Sequence, residues 1–330
     1  MGSKIIGIEI GSDTAKLVVC SNGQVHAMAV ERLPENLVHE GRITAPDAMS
    51  GFLKEMRAQY HLPGGTAALV LPPRAVIAHS LTLPMMTAQE LSLNLPFEFR
   101  DFVGQDGSKY QYDYALMSIP EEAGGDPQRL DLFAAAVKKE LIDEYYAMFK
   151  HAGFTLKVAI PSEMAWLNLV RRAEHEPKEL CIVDIGHVST HVYIYADGRF
   201  IMGKEIEIGG QLLDEAIASE TKVDSHLART YKESNLNNVL SMECCASIYN
   251  ALAVEIMKAV NFYGYDSPQS NLQDLYYCGG PSQIEPLRLA ILKNTGLTMH
   301  HINRLVPGVD ETDDSVLCCA LAAGAAVQQQ

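Results

Sequence analysis

The chain is short of positive charge. Against 41 Asp and Glu it carries 26 Lys and Arg, a formal net charge of −15 over 330 residues. That average repels a nucleic-acid duplex and an anionic membrane surface, and no run of Lys and Arg supplies a local exception. No nucleic-acid partner and no direct membrane insertion are therefore expected. Long apolar runs are missing too. The longest, Val316 to Val327, falls far short of the ~20 residues a spanning helix needs, and its Ala and Gly content suits close helix packing. The N-terminus reads as a strand rather than a charged segment with an apolar core, so no signal peptide is expected. The seven cysteines make no CxxC pair and no Cys/His cluster with zinc spacing. Their odd count and their apolar surroundings suit reduced, buried thiols of a cytosolic protein. There is no G-x-S-x-G elbow. The histidines are scattered, and the tyrosines form no regular stacking platform.

What is present is ample core, 48% hydrophobic residues, in a chain long enough for two domains. It is organised around Cys181 to Tyr195, CIVDIGHVSTHVYIY. An apolar strand reaches Asp184, turns at Gly186, passes Ser189 and Thr190, and leaves as an alternating strand. Asp197-Gly198 then offers the positive-φ pair of a type I′ hairpin turn. The same design opens the protein as IIGIEIGSDTAKLVV, followed by Asn22-Gly23. Slid along without a gap, Glu9 falls on Asp184, Gly11 on Gly186 and Gly23 on Gly198. Such duplication implies two similar halves, each begun by a three-stranded meander with an acid and a glycine in its first turn.

The remainder alternates strands and helices, an α/β pattern. Strands are expected over Ile5–Gly11, Ala15–Ser21, Gln24–Arg32, Ala67–Leu71, Val76–Leu83, Tyr110–Met117 and Leu130–Val137, with a second meander over 180–208 and a strand over Leu272–Cys278. Asp47 is expected to cap a helix to Tyr60. Thr87 should cap one to Arg100 that Pro96 interrupts, and Gly124 to Pro127 form a loop. Further helices are expected at Lys139–His151, Pro161–Arg171, Gln211–Glu220, Glu243–Tyr265 and Gln283–Lys293. A short strand and loop follow at His300–Pro307, then a last helix over 315–327.

Successive amides of a glycine turn form a concavity that attracts phosphate oxygens. A carboxylate beside a phosphate is repulsive unless a cation lies between, and Mg²⁺, which takes carboxylates and waters, fills that role. Glu9 and Asp184 thus suit a magnesium nucleotide held through water. The plain alternative is that both are turn or cap residues. Gly279-Gly280 stands where a strand gives way to a helix, a place for close ligand approach or simply a turn. Gly209-Gly210 can present a helix N-terminus to a phosphate or only turn the chain. Glu255 and Lys258, on one face of a long helix, can reach a ribose or form a surface ion pair.

In order, IEIGSDTAK, VDIGHVST and YYCGGPSQIEPL resemble the two phosphate motifs and the adenosine motif of the actin-like ATPase superfamily. IEIGG and ALAAGAAV are similar to its two connecting segments. Three features resemble the PilM branch, related to FtsA: Glu9 in place of Asp, an insert after Ala67–Leu71, and EIMKAVNFY before the adenosine motif. The resemblance implies an actin-like fold of two duplicated, ribonuclease H-like lobes around a nucleotide cleft, with an inserted α+β subdomain. The lobes are expected at 1–74 with 158–179 (subdomain 1A), 75–157 (inserted subdomain 1C), 180–215 with 271–330 (subdomain 2A) and 216–270 (subdomain 2B). It implies ATP or ADP with Mg²⁺ at Glu9 and Asp184. Phosphates would lie against Gly11, Ser12, Lys16, Gly186, Ser189, Thr190, Gly209 and Gly210, adenosine against Gly279, Gly280, Glu255 and Lys258. It also implies a groove for the N-terminal peptide of a PilN-like membrane protein, and hence a cytoplasmic protein held at the inner face of the membrane by that partner. Pro281, Glu285-Pro286 and the bulky His187 depart from the family pattern. No Gln or Asp is identifiable to orient attacking water, so slow or no hydrolysis, at most a weak ATPase, is expected. A small-molecule kinase of the same superfamily, an FtsA-like filament former and a chaperone-like protein of another operon remain alternatives.

Overall fold

A computed structural model describes residues 4–39, 41–118, 129–173, 177–310 and 313–327. The chain divides into two compact units, residues 1–168 with 321–330, and residues 169–320.

In the first unit, β1 (Lys4–Ile10), β2 (Thr14–Ser21) and β3 (Gln24–Arg32) form the expected antiparallel meander. Asn22 and Gly23 both take positive φ, 52° and 73°, at its hairpin. Two short strands, β4 (Val38–His39) and β5 (Arg42–Ile43), precede α1 (Pro46–Gln59) and β6 (Gly65–Val70). Asp47 is not the cap of α1. Ala45 holds that position without a side-chain bond, because Pro46, whose ring pre-sets helical φ, takes the first turn. Asp47 lies in that turn, where the helix dipole favours an anion.

The chain then runs through β7 (Val76–Pro84), α2 (Ala88–Glu98), α3 (Arg100–Val103), β8 (Tyr110–Ser118) and β9 (Arg129–Lys138). Thr87 does cap α2, in a reciprocal box with Glu90. The helix passes through Pro96 and breaks at Phe99, within a turn of it. Strands β7 and β8 flank β9 in a separate antiparallel sheet. Leu95, Phe99 and Val103 pack on Ala134 and Ala136 of β9. The anticipated loop Gly124 to Pro127 lies outside the described residues.

Helix α4 (Lys139–His151) then returns to the first unit's main core, where Tyr145, Met148 and Phe149 join Met49, Leu53 and Met56 of α1. The strand that follows, β10 (Phe154–Ile160), was not expected from the sequence. Its sequence, FTLKVAI, alternates as a strand does, and a register shift between Leu156 and Val158 leaves Lys157 outside the pairing with β6. It completes a five-stranded sheet, β10-β6-β1-β2-β3. Helix α5 (Ser162–Val170) follows and carries the fully buried Trp166.

The second unit repeats the plan. Strands β11 (Glu179–Ile185), β12 (Thr190–Ala196) and β13 (Arg199–Ile206) form the second meander. Asp197 and Gly198 take φ of 49° and 67°. Helices α6 (Gly210–Thr221), α7 (Ser225–Ser234) and α8 (Glu243–Asp266) lead to β14 (Asp274–Cys278), α9 (Glu285–Thr295), β15 (Thr298–His301) and the start of α10 (Val316–Ala326), whose residues from Leu321 on belong to the first unit. The sheet order is β13-β12-β11-β14-β15. In both units two antiparallel pairings are followed by two parallel ones. The duplication extends to irregularities: the bulge at Val19/Cys20 recurs at Ile194/Tyr195, the same offset that relates Glu9 to Asp184. The central strands β6 and β11 are nearly continuous buried runs, as strands covered on both faces must be.

Cys20, Cys181, Cys245, Cys278 and Cys319 are buried, and burial pushes the Cys181 thiol up to about 12. No helix among the described residues is long and apolar enough to cross a membrane.

Candidate functional site

The two duplicated turns each gather a candidate half-site. In the first unit the turn between β1 and β2 is closed by the Gly11 N–H donating to the Thr14 carbonyl at 3.0 Å. The antiparallel register sets Glu9 opposite Lys16, and the Lys16 Nζ donates to Glu9 Oε1 at 2.5 Å. Both side chains are largely covered, 12% and 15% exposed. A charge-assisted bond in such surroundings is stronger than a neutral one. Gly11 is packed against this pair: a Cβ there would stand 3.1 Å from the Lys16 ammonium and from the Thr14 carbonyl. Ser12, at the tip, is exposed. The turn thus presents the Ser12 hydroxyl, backbone and the Asp13 carboxylate, beside a lysine ammonium already paired with Glu9.

The second turn is built alike. Asp184 lies opposite His191, and the Gly186 N–H donates to the Ser189 carbonyl at 3.0 Å. Here the turn is strapped to α6. The Gly210 N–H donates to the Gly186 carbonyl at 3.0 Å and the Gln211 N–H to the His187 carbonyl at 2.7 Å. Gly209, the cap of α6, has extended backbone. Its glycine identity answers to space, since a Cβ would fall 2.5 Å from the His187 carbonyl oxygen. Gly279 has both reasons: φ is +86°, and a Cβ would come within 2.1 Å of the Ile185 carbonyl oxygen. A Cβ on Gly210 would lie 3.0 Å from Pro281 Cγ and 3.7 Å from His187 Nδ1. The fold therefore brings the 186–189 turn, Gly209-Gly210 and Gly279 to Pro281 together in one unit. Pro281, a departure from the family pattern in sequence, is a packing neighbour of Gly210.

The remaining candidates differ among themselves. Ser189 is half-buried. Thr190 is fully buried, and its hydroxyl donates to the Ile208 carbonyl at 2.7 Å. Gly280 is exposed, with nothing nearer to its Cβ position than Cys318 Sγ at 3.9 Å. Glu255 and Lys258 take the ion-pair geometry, 2.6 Å apart, and Lys204 of β13 reaches the other oxygen of Glu255 at 3.2 Å. Hydrogen bonds from Lys258, then Lys204, hold the Glu255 carboxyl below the usual carboxylate range. Lys232 of α7 was not anticipated. Its ammonium donates to the Gly210 carbonyl at 3.0 Å and lies 2.6 Å from Asp214 Oδ1. It sits in a polar stretch without a motif, so nothing in the sequence marks it. Among the described residues no group of three or more His, Cys, Asp or Glu could enclose a metal ion.

The sequence matches the family described as type IV pilus assembly protein PilM over residues 7–308. The structure is similar to a PilM–PilN type IV pilus biogenesis complex, with a TM-score of 0.83 and 21% identity, covering 99% of this chain and 98% of that one. It is also similar to the ethanolamine utilization protein EutJ from Carboxydothermus hydrogenoformans, at TM-score 0.63 and 14% identity over 99% and 90% of the two chains. A third likeness is to MreB5 of Spiroplasma citri bound to ADP, at 0.52 and 13% over 97% and 94%. The fold is thus the α/β actin-like ATPase fold, and the chain belongs to the PilM family of type IV pilus assembly proteins.

Proposed function

We propose that this chain is a nucleotide-dependent adaptor of type IV pilus assembly. It binds ATP or ADP with Mg²⁺ and the N-terminal peptide of a PilN-like inner-membrane protein, with slow or no hydrolysis. The observation that carries the nucleotide part is the recurrence of one construction in both units: an acid just before the strand end, then a glycine amide closing the turn. The bound ADP of the MreB5 relative supports it. The partner part is supported by similarity to the PilM–PilN complex along nearly the whole chain.

In this reading the residues that bind phosphate are Gly11, Ser12 and Lys16, and Gly186, Ser189, Gly209 and Gly210. Thr190, bonded to Ile208, shapes its turn from within. Glu9 and Asp184 orient magnesium through water. Glu9 and Asp184 offer one carboxylate at each strand end, which suits an ion that keeps most of its waters and takes phosphate oxygens as ligands. The bound ion would supply charge neutralisation between carboxylate and phosphate. Gly279 and Gly280 flank the base. Glu255 and Lys258 reach a ribose only by loosening their pairing with each other and Lys204. The partner peptide would hold the protein at the cytoplasmic face of the membrane.

Calorimetric titration of the full chain with MgATP, MgADP and adenosine, with and without a synthetic PilN-type N-terminal peptide, tests this. Binding of the magnesium nucleotides and of the peptide is expected, with phosphate release that is slow or undetectable. No nucleotide binding under either condition would overturn the nucleotide part, and no peptide binding the adaptor part.

A further inference from the structure

Asp214 lies within the first turn and a half of α6, 4% exposed. A buried carboxylate there is out of place next to a terminus meant for phosphate. The helix N-terminus attracts anions through its free amides and its dipole, and a fixed negative charge a few ångströms inside opposes that attraction. Lys232, from the next helix, answers it. The two side chains are 11% and 6% exposed, and the charged atoms lie 2.6 Å apart. The same ammonium hydrogen-bonds the Gly210 carbonyl at 3.0 Å. Gly210 is the residue whose N–H reaches back to Gly186 in the phosphate turn.

We propose that Lys232 is a positioning residue for the phosphate side of the second unit. It neutralises Asp214 and pins the Gly210 peptide, so that the Gly186 turn and the start of α6 present amides to an anion without an opposing carboxylate. The ligand class is a nucleoside di- or triphosphate, and the inference rests on the nucleotide reading above. Lys232 acts through Asp214 and Gly210. A purely structural pair would affect folding and all ligands alike, whereas this one affects phosphate-bearing ligands.

The test compares ADP with adenosine by calorimetry on the full chain, with thermal melting as the check on folding. Lys232→Met should weaken ADP by about tenfold or more, the effect of an uncompensated charge near the phosphates, and leave adenosine within about twofold. Adding Asp214→Asn to Lys232→Met should recover ADP affinity to within about threefold of the wild type, because the charge needing compensation is gone. Lys232→Arg should retain it. Unchanged ADP binding in folded Lys232→Met, an equal loss for ADP and adenosine, or no recovery in the double variant would overturn the proposal. Should Lys232→Met fail to fold, Asp214→Asn alone decides: ADP affinity at or above wild type is expected, and a loss of about tenfold overturns it. A wild type that binds no ADP removes the nucleotide reading itself, an outcome distinct from all of these.

Discussion

Lys16 stands directly across the first hairpin from Glu9, its ammonium 2.5 Å from the carboxylate and packed over the Gly11 turn. At the matching position of the second hairpin the pair is Asp184 and His191. One backbone design thus carries a lysine on the second strand of the first hairpin and a histidine on that of the second.

Replacing Lys16 with Met should separate binding from folding. Glu9 would be left largely covered beside a turn that closes on itself through backbone alone. Melting should report a loss of about 1–3 kcal/mol, the range for leaving a hydrogen-bonding group without its partner. MgATP affinity should fall by about tenfold or more, because the ammonium would no longer face the phosphates. Calorimetry on the folded variant reads the second effect. An unchanged affinity would remove Lys16 from the phosphate side.

Asp184→Asn keeps shape and removes charge. If the carboxylate orients magnesium, MgATP should weaken by about tenfold or more while adenosine, with no phosphate to bridge, changes less than about twofold. Equal losses for the two ligands would point to a turn residue instead.

The paired glycines of the adenosine segment should respond in opposite ways. Gly279→Ala forces a side chain into positive φ and onto the Ile185 carbonyl, a loss of about 3 kcal/mol or more. Gly280→Ala meets only Cys318 at 3.9 Å and should stay within about 0.5 kcal/mol of wild type. Chemical denaturation of both variants checks this.

Two histidines should make stability fall on mild acidification. Burial lowers the pKa of His79, against the opposing charge of Glu98, and of His301, against Asp314. His79 lies against Phe99 and Phe102, its ring tilted to both. His301 lies against Tyr277, with Arg288 over the same ring. Both rings are therefore easier to protonate in the unfolded chain, whose value is 6.5. Below that pH the unfolded state binds more protons, so the stability present above 6.5 is lost progressively as pH falls through it. Melting temperatures should decline from neutral to mildly acidic buffer, and His79→Gln and His301→Gln should each flatten the decline. An unaltered slope in both variants would contradict the assignment.

Much of the fold was legible because it is written in local, repeating chemistry. Two positive-φ dipeptides, Asn22-Gly23 and Asp197-Gly198, mark the hairpins. The apolar runs of β6 and β11 mark central strands, and a common offset relates the acids and glycines of both turns. Strand β10 was not expected although FTLKVAI alternates large apolar residues with Thr, Lys and Ala; its parallel partner β6 is distant in the chain, so no hairpin turn marks it. Nor was the true start of α1, where Pro46 outweighs Asp47.

At the candidate site the sequence alone determined which residue types stand in the turns, since glycine and a preceding acid are properties of neighbouring positions. Only the tertiary structure decided what each one touches. It buried Thr190 against Ile208, tied Glu255 to Lys204, and set Pro281 against Gly210. It also carried Lys232 from an unmarked helix to the carbonyl of Gly210 and the carboxylate of Asp214. Those contacts join positions far apart in the chain, and distance along a sequence holds no record of distance in space.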